Sequence, residues 1–156
     1  MKTHFFIFSF MFVFAALSAQ TFVSTTPAKK NAVIEEFTGV NCGNCPSGHK
    51  VVNNITAANK GRVVPINIHV GSYAVDNPNY KTPYGSAIAD QSNLGGYPNG
   101  TVNRHIFAGK TKTAMSVGDF SSSVSTILAE NSYVNVAAKS TLNSTTRELT
   151  VTVEVY

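Results

Sequence analysis

Val33-Ile-Glu-Glu-Phe-Thr-Gly-Val-Asn-Cys-Gly-Asn-Cys-Pro-Ser-Gly-His49 reads as a β-strand, a glycine turn, a C-x-x-C pair and the start of a helix. The fold turns on this stretch, because a strand running through a short turn into a helix is the opening of a β-α-β unit. It is also where the chain carries chemistry. The open N–H groups and the macrodipole of a helix's first turn stabilise an anion. Cys42, the outer thiol, should therefore titrate below the free-cysteine value of roughly 8.5 and serve as the nucleophile. Cys45 sits one turn further in, recessed but close enough to attack a mixed disulfide on Cys42, as a resolving thiol must. Pro46 suits the first turn, where its missing N–H costs no hydrogen bond. Half of a zinc site and an inert structural disulfide are the alternative readings. A structural zinc needs four ligands, and no second C-x-x-C pair exists, although His49, His69 and His105 are available.

Before this stretch, Lys2 and His4 lead into the apolar run Phe5 to Leu17, followed by Ser18-Ala19-Gln20. A charged start, a run too short to span a membrane comfortably and a small-residue exit make residues 1–19 a secretory signal peptide. Export follows, and no cysteine stands close behind the run to take a lipoprotein anchor. Residues 20–31 are polar, with Pro27 and Lys29-Lys30, and read as a linker. Charged residues make up only 13% of the chain against a usual quarter or so, while Ser, Thr and Asn are spread throughout, which suits an extracytoplasmic surface. The net charge of +4 is scattered rather than gathered into a stripe, so nucleic acid is not an expected partner.

After the opening strand, Ala32–Thr38, a helix over 46–59 has Val51, Val52, Ile55 and Ala58 on one side and a glycine, Gly61, just past its end. Arg62 to Val70 is the next strand, parallel to the first, which puts the Cys42 loop at the carboxyl edge of the sheet. Glu35 and Glu36 are unusual side by side in a strand. One must face inward if both sheet faces are covered; the alternative is that both reach solvent at a sheet edge. Residues 71–83 read as an exposed loop whose Tyr73 and Tyr80, with Tyr84, could line a groove. A modest helix over 84–93, a glycine-rich break at Leu94 to Gly100, a hairpin of 100–106 and 110–115 around Gly109, and a helix over 117–131 with Phe120, Val124, Ile127 and Leu128 inward complete this part. Residues 132–156 alternate with period two around Asn143-Ser-Thr-Thr and form a further β-hairpin. The last strand stops mid-pattern on Val-Glu-Val-Tyr156, which reads as the start of a truncated β-rich domain.

The resulting α/β order, β-α-β-α-β-β-α, resembles the thioredoxin superfamily over residues 32–131. The resemblance rests on Cys42-Gly-Asn-Cys45 and Gly96-Tyr-Pro98 in the right order. It implies a thioredoxin-like sandwich followed by the start of a β-rich segment, with Pro98 in a cis-proline loop facing the cysteines and the Tyr97 backbone pairing with substrate. It also implies that Glu36 is the buried acid that assists proton transfer at the inner cysteine. More narrowly, Glu35-Glu-Phe-Thr-Gly-Val-Asn-Cys-Gly-Asn-Cys-Pro46 is similar to thioredoxin-like members of the Bacteroidetes outer-membrane protein family of Omp type. The chain departs from thioredoxins at Asn41, Asn44 and Asn99, and in having no Trp.

The leading reading is an exported thiol–disulfide oxidoreductase of the cell envelope, periplasmic, outer-membrane-associated or secreted. Cys42, Cys45 and Glu36 would carry the exchange, and Tyr97 and Pro98 would bind substrate. Its partners would be protein thiols or disulfides and a redox partner protein, with no cofactor and no metal. The competing readings are a non-catalytic envelope binding or scaffolding module, and a copper-handling protein using Cys42, Cys45 and a histidine, since soft thiolates favour Cu(I).

Overall fold

The structure is a computed structural model that describes residues 21–75 and 77–156; the segment read as a signal peptide lies outside the described residues. Two compact units emerge, one of residues 26–134 and one in which residues 21–25 join 135–156.

In the larger unit the order is β1 (Ala32–Thr38), α1 (Cys45–Ala58), β2 (Val63–His69), α2 (Pro83–Ser92), β3 (Asn99–Val102), β4 (Met115–Ser116) and α3 (Phe120–Ala129). The four strands form one sheet in the order β2-β1-β3-β4. β1 runs parallel to β2 and antiparallel to β3, and β3 pairs antiparallel with β4. This mixed sheet with its interleaved helices is a thioredoxin-like α/β fold.

β1 is interior to the sheet, and its side chains alternate between two cores, as strand geometry requires. Ala32 and Ile34 join Val52 and Ile55 of α1 and Phe120, Val124 and Ile127 of α3. Phe37 joins Ile68, Val70 and Ala89 of α2. Burying a side chain such as Ile34 or Phe37 contributes about 1.5–3 kcal/mol, so the Val-Ile-Glu-Glu-Phe run is held from both faces. Gly100 lets β3 approach β1: a Cβ there would run into the Glu35 carbonyl oxygen and stand 2.7 Å from Cζ of Phe120.

Three boundaries differ by three residues or more from those read in the sequence. The hairpin of β3 and β4 is short, pairing only Asn99 with Ser116 and Gly100 with Met115. β3 stops at Val102 because Asn103 and Arg104 take left-handed φ values of 50° and 48°. Their side chains turn back to β1, where Asn103 Oδ1 accepts the Val33 N–H at 2.6 Å. A 3-10 turn over Val117–Asp119 precedes α3, which begins at Phe120. On α1, Ala58 is exposed, and Gly48 shares the buried side with Cys45, Val52 and Ile55.

In the smaller unit β5 (Val136–Asn143) and β6 (Glu148–Val155) pair antiparallel, from Val136 opposite Val155 to Asn143 opposite Glu148. Asn143 Oδ1 caps the turn by accepting the N–H groups of Thr145 and Thr146 at 3.0 and 3.1 Å. The lead-in that reads as a linker is divided between the units. Phe22 and Val23 donate their N–H groups to Glu154 at 2.6 and 3.0 Å, and Lys139 lies over the Phe22 ring. Lys29 bridges to Asn131 in the larger unit.

Candidate active site

β1 ends at Thr38 and the chain turns through residues 39–44 into α1. The turn is anchored by Asn41 N–H donating to the Tyr73 carbonyl at 2.9 Å and Cys42 N–H donating to the Gly39 carbonyl at 3.1 Å. Asn44 occupies the N-cap and Pro46 the first turn. Cys42 and Cys45 are joined as a disulfide. Both cysteines are buried, Cys42 at 7% exposure and Cys45 at 1%, so the outer thiol of the sequence reading is scarcely more open than the inner one.

The two glutamates of β1 are both buried, on opposite faces, and neither reaches solvent at an edge, because β1 is an interior strand. Glu36 is 1% exposed. Its Oε2 lies 2.8 Å from Nδ1 of His49, which is on α1 one turn after Cys45. Its Oε1 is buried and has no hydrogen-bond partner. That oxygen sits against the α1 backbone at Gly48, where a Cβ would be 2.5 Å from Oε1 and 2.9 Å from Cβ of Pro98. Gly48 is thus where β1, α1 and the Pro98 loop converge.

The Tyr97–Pro98 peptide bond is cis, as is Asn77–Pro78, which the sequence did not single out. The Tyr97 ring packs edge-on to Tyr73 with centroids 5.4 Å apart. Burial, with a smaller contribution from Tyr73, pushes its phenol above the ordinary value. Tyr97 borders a cleft of about 510 Å³ together with Val70, Gly71, Lys81, Ala89 and Leu94. The loop tyrosines do not line that groove together: Tyr80 packs on His69 at 5.1 Å and Tyr84 stands in solvent.

Glu35 belongs to a separate arrangement. Arg104 grips it through Nε at 3.0 and 2.9 Å and through Nη2 at 2.5 Å, and the Thr101 hydroxyl donates to it at 2.9 Å. Burial pushes this carboxyl up, but the hydrogen bonds from Arg104 and Thr101 and the Arg104 charge outweigh it, so Glu35 sits below the ordinary carboxylate value. Sequence reasoning missed Arg104. The residue's left-handed backbone, which swings it across to β1, has no sequence signal as clear as a glycine.

The four-residue spacing places His49 on the helical face of Cys45, but sequence reasoning weighed that only as a metal-ligand position. His69 and His105 do not gather with it: His105 stacks on Phe107 at 4.7 Å. Among the described residues no group of three or more His, Cys, Asp or Glu side chains is placed to hold a metal ion.

No protein-family model matches this chain, and no curated protein matches it by sequence. Solved structures do resemble it. HBP35 of Porphyromonas gingivalis superposes with a TM-score of 0.56 at 21% identity, over 73% of this chain and 38% of that one. A protein from Agrobacterium tumefaciens gives a TM-score of 0.46 at 18% identity, over 74% of this chain and 53% of that one. A thiol:disulfide interchange protein of the thioredoxin family from Chlorobium tepidum gives 0.43 at 17% identity, covering 64% and 81%. The chain therefore spans well under half of the Porphyromonas protein. Likeness at such identities speaks to the fold alone.

Proposed function

We propose that this protein is an exported thiol–disulfide oxidoreductase that exchanges disulfides with proteins of the cell envelope or the secreted pool. One observation carries the reading: the Cys42–Cys45 disulfide stands at the start of α1, on the helix whose next turn packs against a buried carboxylate and a cis-proline loop. A partner thiolate attacks Cys42, the Cys42–Cys45 bond breaks, and the partner is joined to Cys42. A second partner thiol then attacks the partner sulfur, completing the partner's disulfide and releasing Cys42; in the reducing direction Cys42 attacks a partner disulfide and Cys45 resolves the mixed disulfide. Glu36 is the group assigned to take the Cys45 proton, and the Tyr97–Pro98 segment is the surface assigned to the partner's backbone.

Export is supported by the apolar run of residues 5–17. Placement in the periplasm, at the outer membrane or outside the cell is supported by the resemblance to the Omp-type proteins. Among the described residues no helix is long and apolar enough to cross a membrane. The test is covalent trapping in the native envelope. Cys45→Ser should accumulate mixed disulfides on Cys42, which mass spectrometry would identify, while Cys42→Ser should accumulate far fewer. Equal trapping by both would undo the division of roles. Absence of adducts from a folded, exported Cys45→Ser protein would favour the non-catalytic binding module.

A further inference from the structure

The Glu36 carboxyl and the His49 imidazole form a pair that the cysteine chemistry alone does not require. Glu36 is 1% exposed, with Oε2 2.8 Å from His49 Nδ1 and Oε1 buried without a partner. A carboxylate taken this far from water is held ionised only by a counter-charge or several donors, and the donor at Glu36 is one imidazole. The His49 side chain is 33% exposed, so it reaches from the buried oxygen to solvent. Cys45, Gly48 and His49 lie at positions i, i+3 and i+4 of α1, on one face, and Glu36 Oε1 abuts Gly48 on that face. The titratable groups nearest the pair are Cys45 on the same face of α1 and, on β2, His69, which is in register with Thr38 and whose ring packs on Tyr80. Thr38, which is paired in register with His69, has Oγ1 3.4 Å from His49 Nε2.

We propose that His49 is a positioning residue for disulfide exchange: it supplies the counter-charge against which Glu36 is ionised, and so decides whether Glu36 can accept the Cys45 proton. This rests on the oxidoreductase reading and deepens it. In the resolving step the Cys45 S–H proton passes to Glu36 Oε1, directly or through one water. The Cys45 sulfur forms its bond to Cys42, the bond between Cys42 and the partner sulfur breaks, and the partner leaves as a thiolate. Two thiols' worth of electrons depart with the partner's two sulfurs, and the chain is left as the disulfide. Removing His49 leaves the buried carboxyl without its counter-charge and without its one donor, and the resolving step loses its proton acceptor.

The full chain, reduced and mixed with a symmetric chromogenic aryl disulfide, separates the steps. Attack by Cys42 releases one aryl thiolate and forms the mixed disulfide; resolution by Cys45 releases the second. Stopped-flow traces across roughly pH 5 to 9, a window spanning imidazole titration, should show His49→Gln with an unchanged first release. Its second release should be slowed about tenfold or more at neutral pH and its midpoint moved to higher pH. His49→Lys, which restores a fixed charge, should recover the second release and lose its dependence on imidazole titration. In a Glu36→Gln background, His49→Gln should add no further slowing. A His49→Gln protein with the wild-type rate and pH profile of second release overturns the inference while leaving the oxidoreductase reading intact, as does additive slowing in the double variant. A wild-type protein that gives no second release overturns both. If His49→Gln fails to fold, the His49→Lys profile decides: a wild-type pH dependence in that variant overturns the inference.

Discussion

Arg104→Ala should destabilise the larger unit through charge rather than packing, and the pH dependence shows which. The substitution removes three hydrogen bonds to a carboxyl in the middle of the sheet and leaves Thr101 as its remaining donor. Breaking a buried pair by removing one partner costs about 3–5 kcal/mol. The Arg104 side chain is 48% exposed, so water reaches the vacated site and about 2 kcal/mol is the expected loss at neutral pH. Glu35 sits below its ordinary value of 4.5 in the folded protein. Its contribution to stability is therefore complete above that value and fades as the pH falls through the lower folded one. Without Arg104 the burial of the carboxyl dominates, and folding then favours the neutral acid. The gap between wild type and variant should be widest near neutrality and should narrow on acidification below about 4.5. Urea unfolding at neutral and acidic pH, followed by circular dichroism with the disulfide intact, measures this. A 2 kcal/mol loss corresponds to a midpoint shift of about 1 M urea at neutral pH. An equal loss at both pH values, or one below about 0.5 kcal/mol at neutrality, would refute the reasoning.

Gly48→Ala should cost about 1–3 kcal/mol, because its Cβ would stand 2.5 Å from Glu36 Oε1 and 2.9 Å from Pro98 Cβ; thermal unfolding checks the cost, and the second aryl-thiolate release should slow with it. Gly100→Ala should be at least as damaging, at about 2 kcal/mol or more, since the obstacle there is the Glu35 backbone, which has little freedom to yield; denaturant titration is the measure. Phe37→Ala should lose about 3–5 kcal/mol by emptying the core shared with Ile68, Val70 and Ala89, and hydrogen exchange should show the α2 side opening first.

Much of the fold was legible because its signals are local. The strand read at Ala32–Thr38 and the Pro46 and Gly61 boundaries of α1 each depend on a few neighbouring residues, and all coincide with observed elements. Pro98 came into play only through the family resemblance, since nothing local links it to α1. What was not legible depends on residues far apart in sequence. β3 ends early because two non-glycine residues accept left-handed φ in exchange for bonds to β1, which only the assembled sheet can supply. The three loop tyrosines read as one group, yet they separate because Tyr73 and Tyr80 find different partners, Tyr97 and His69.

The adjacent glutamates show how one strand serves stability and chemistry at once. In an interior strand neither can escape to solvent, so each must be neutralised on its own face. Glu35 meets an always-charged guanidinium and a hydroxyl, with both carboxylate oxygens occupied. That arrangement leaves no oxygen free to take up a proton and suits a fixed structural tie. Glu36 meets a single imidazole, the one side chain whose ordinary pKa lies near neutrality, and keeps one buried oxygen open beside the helix that carries Cys45. A single-residue slip of β1 would exchange these environments, turning Glu35 to the α1 face and Glu36 to the face of Arg104 and Thr101. The register of β1 therefore determines which of the two acids faces α1 and the cysteine pair.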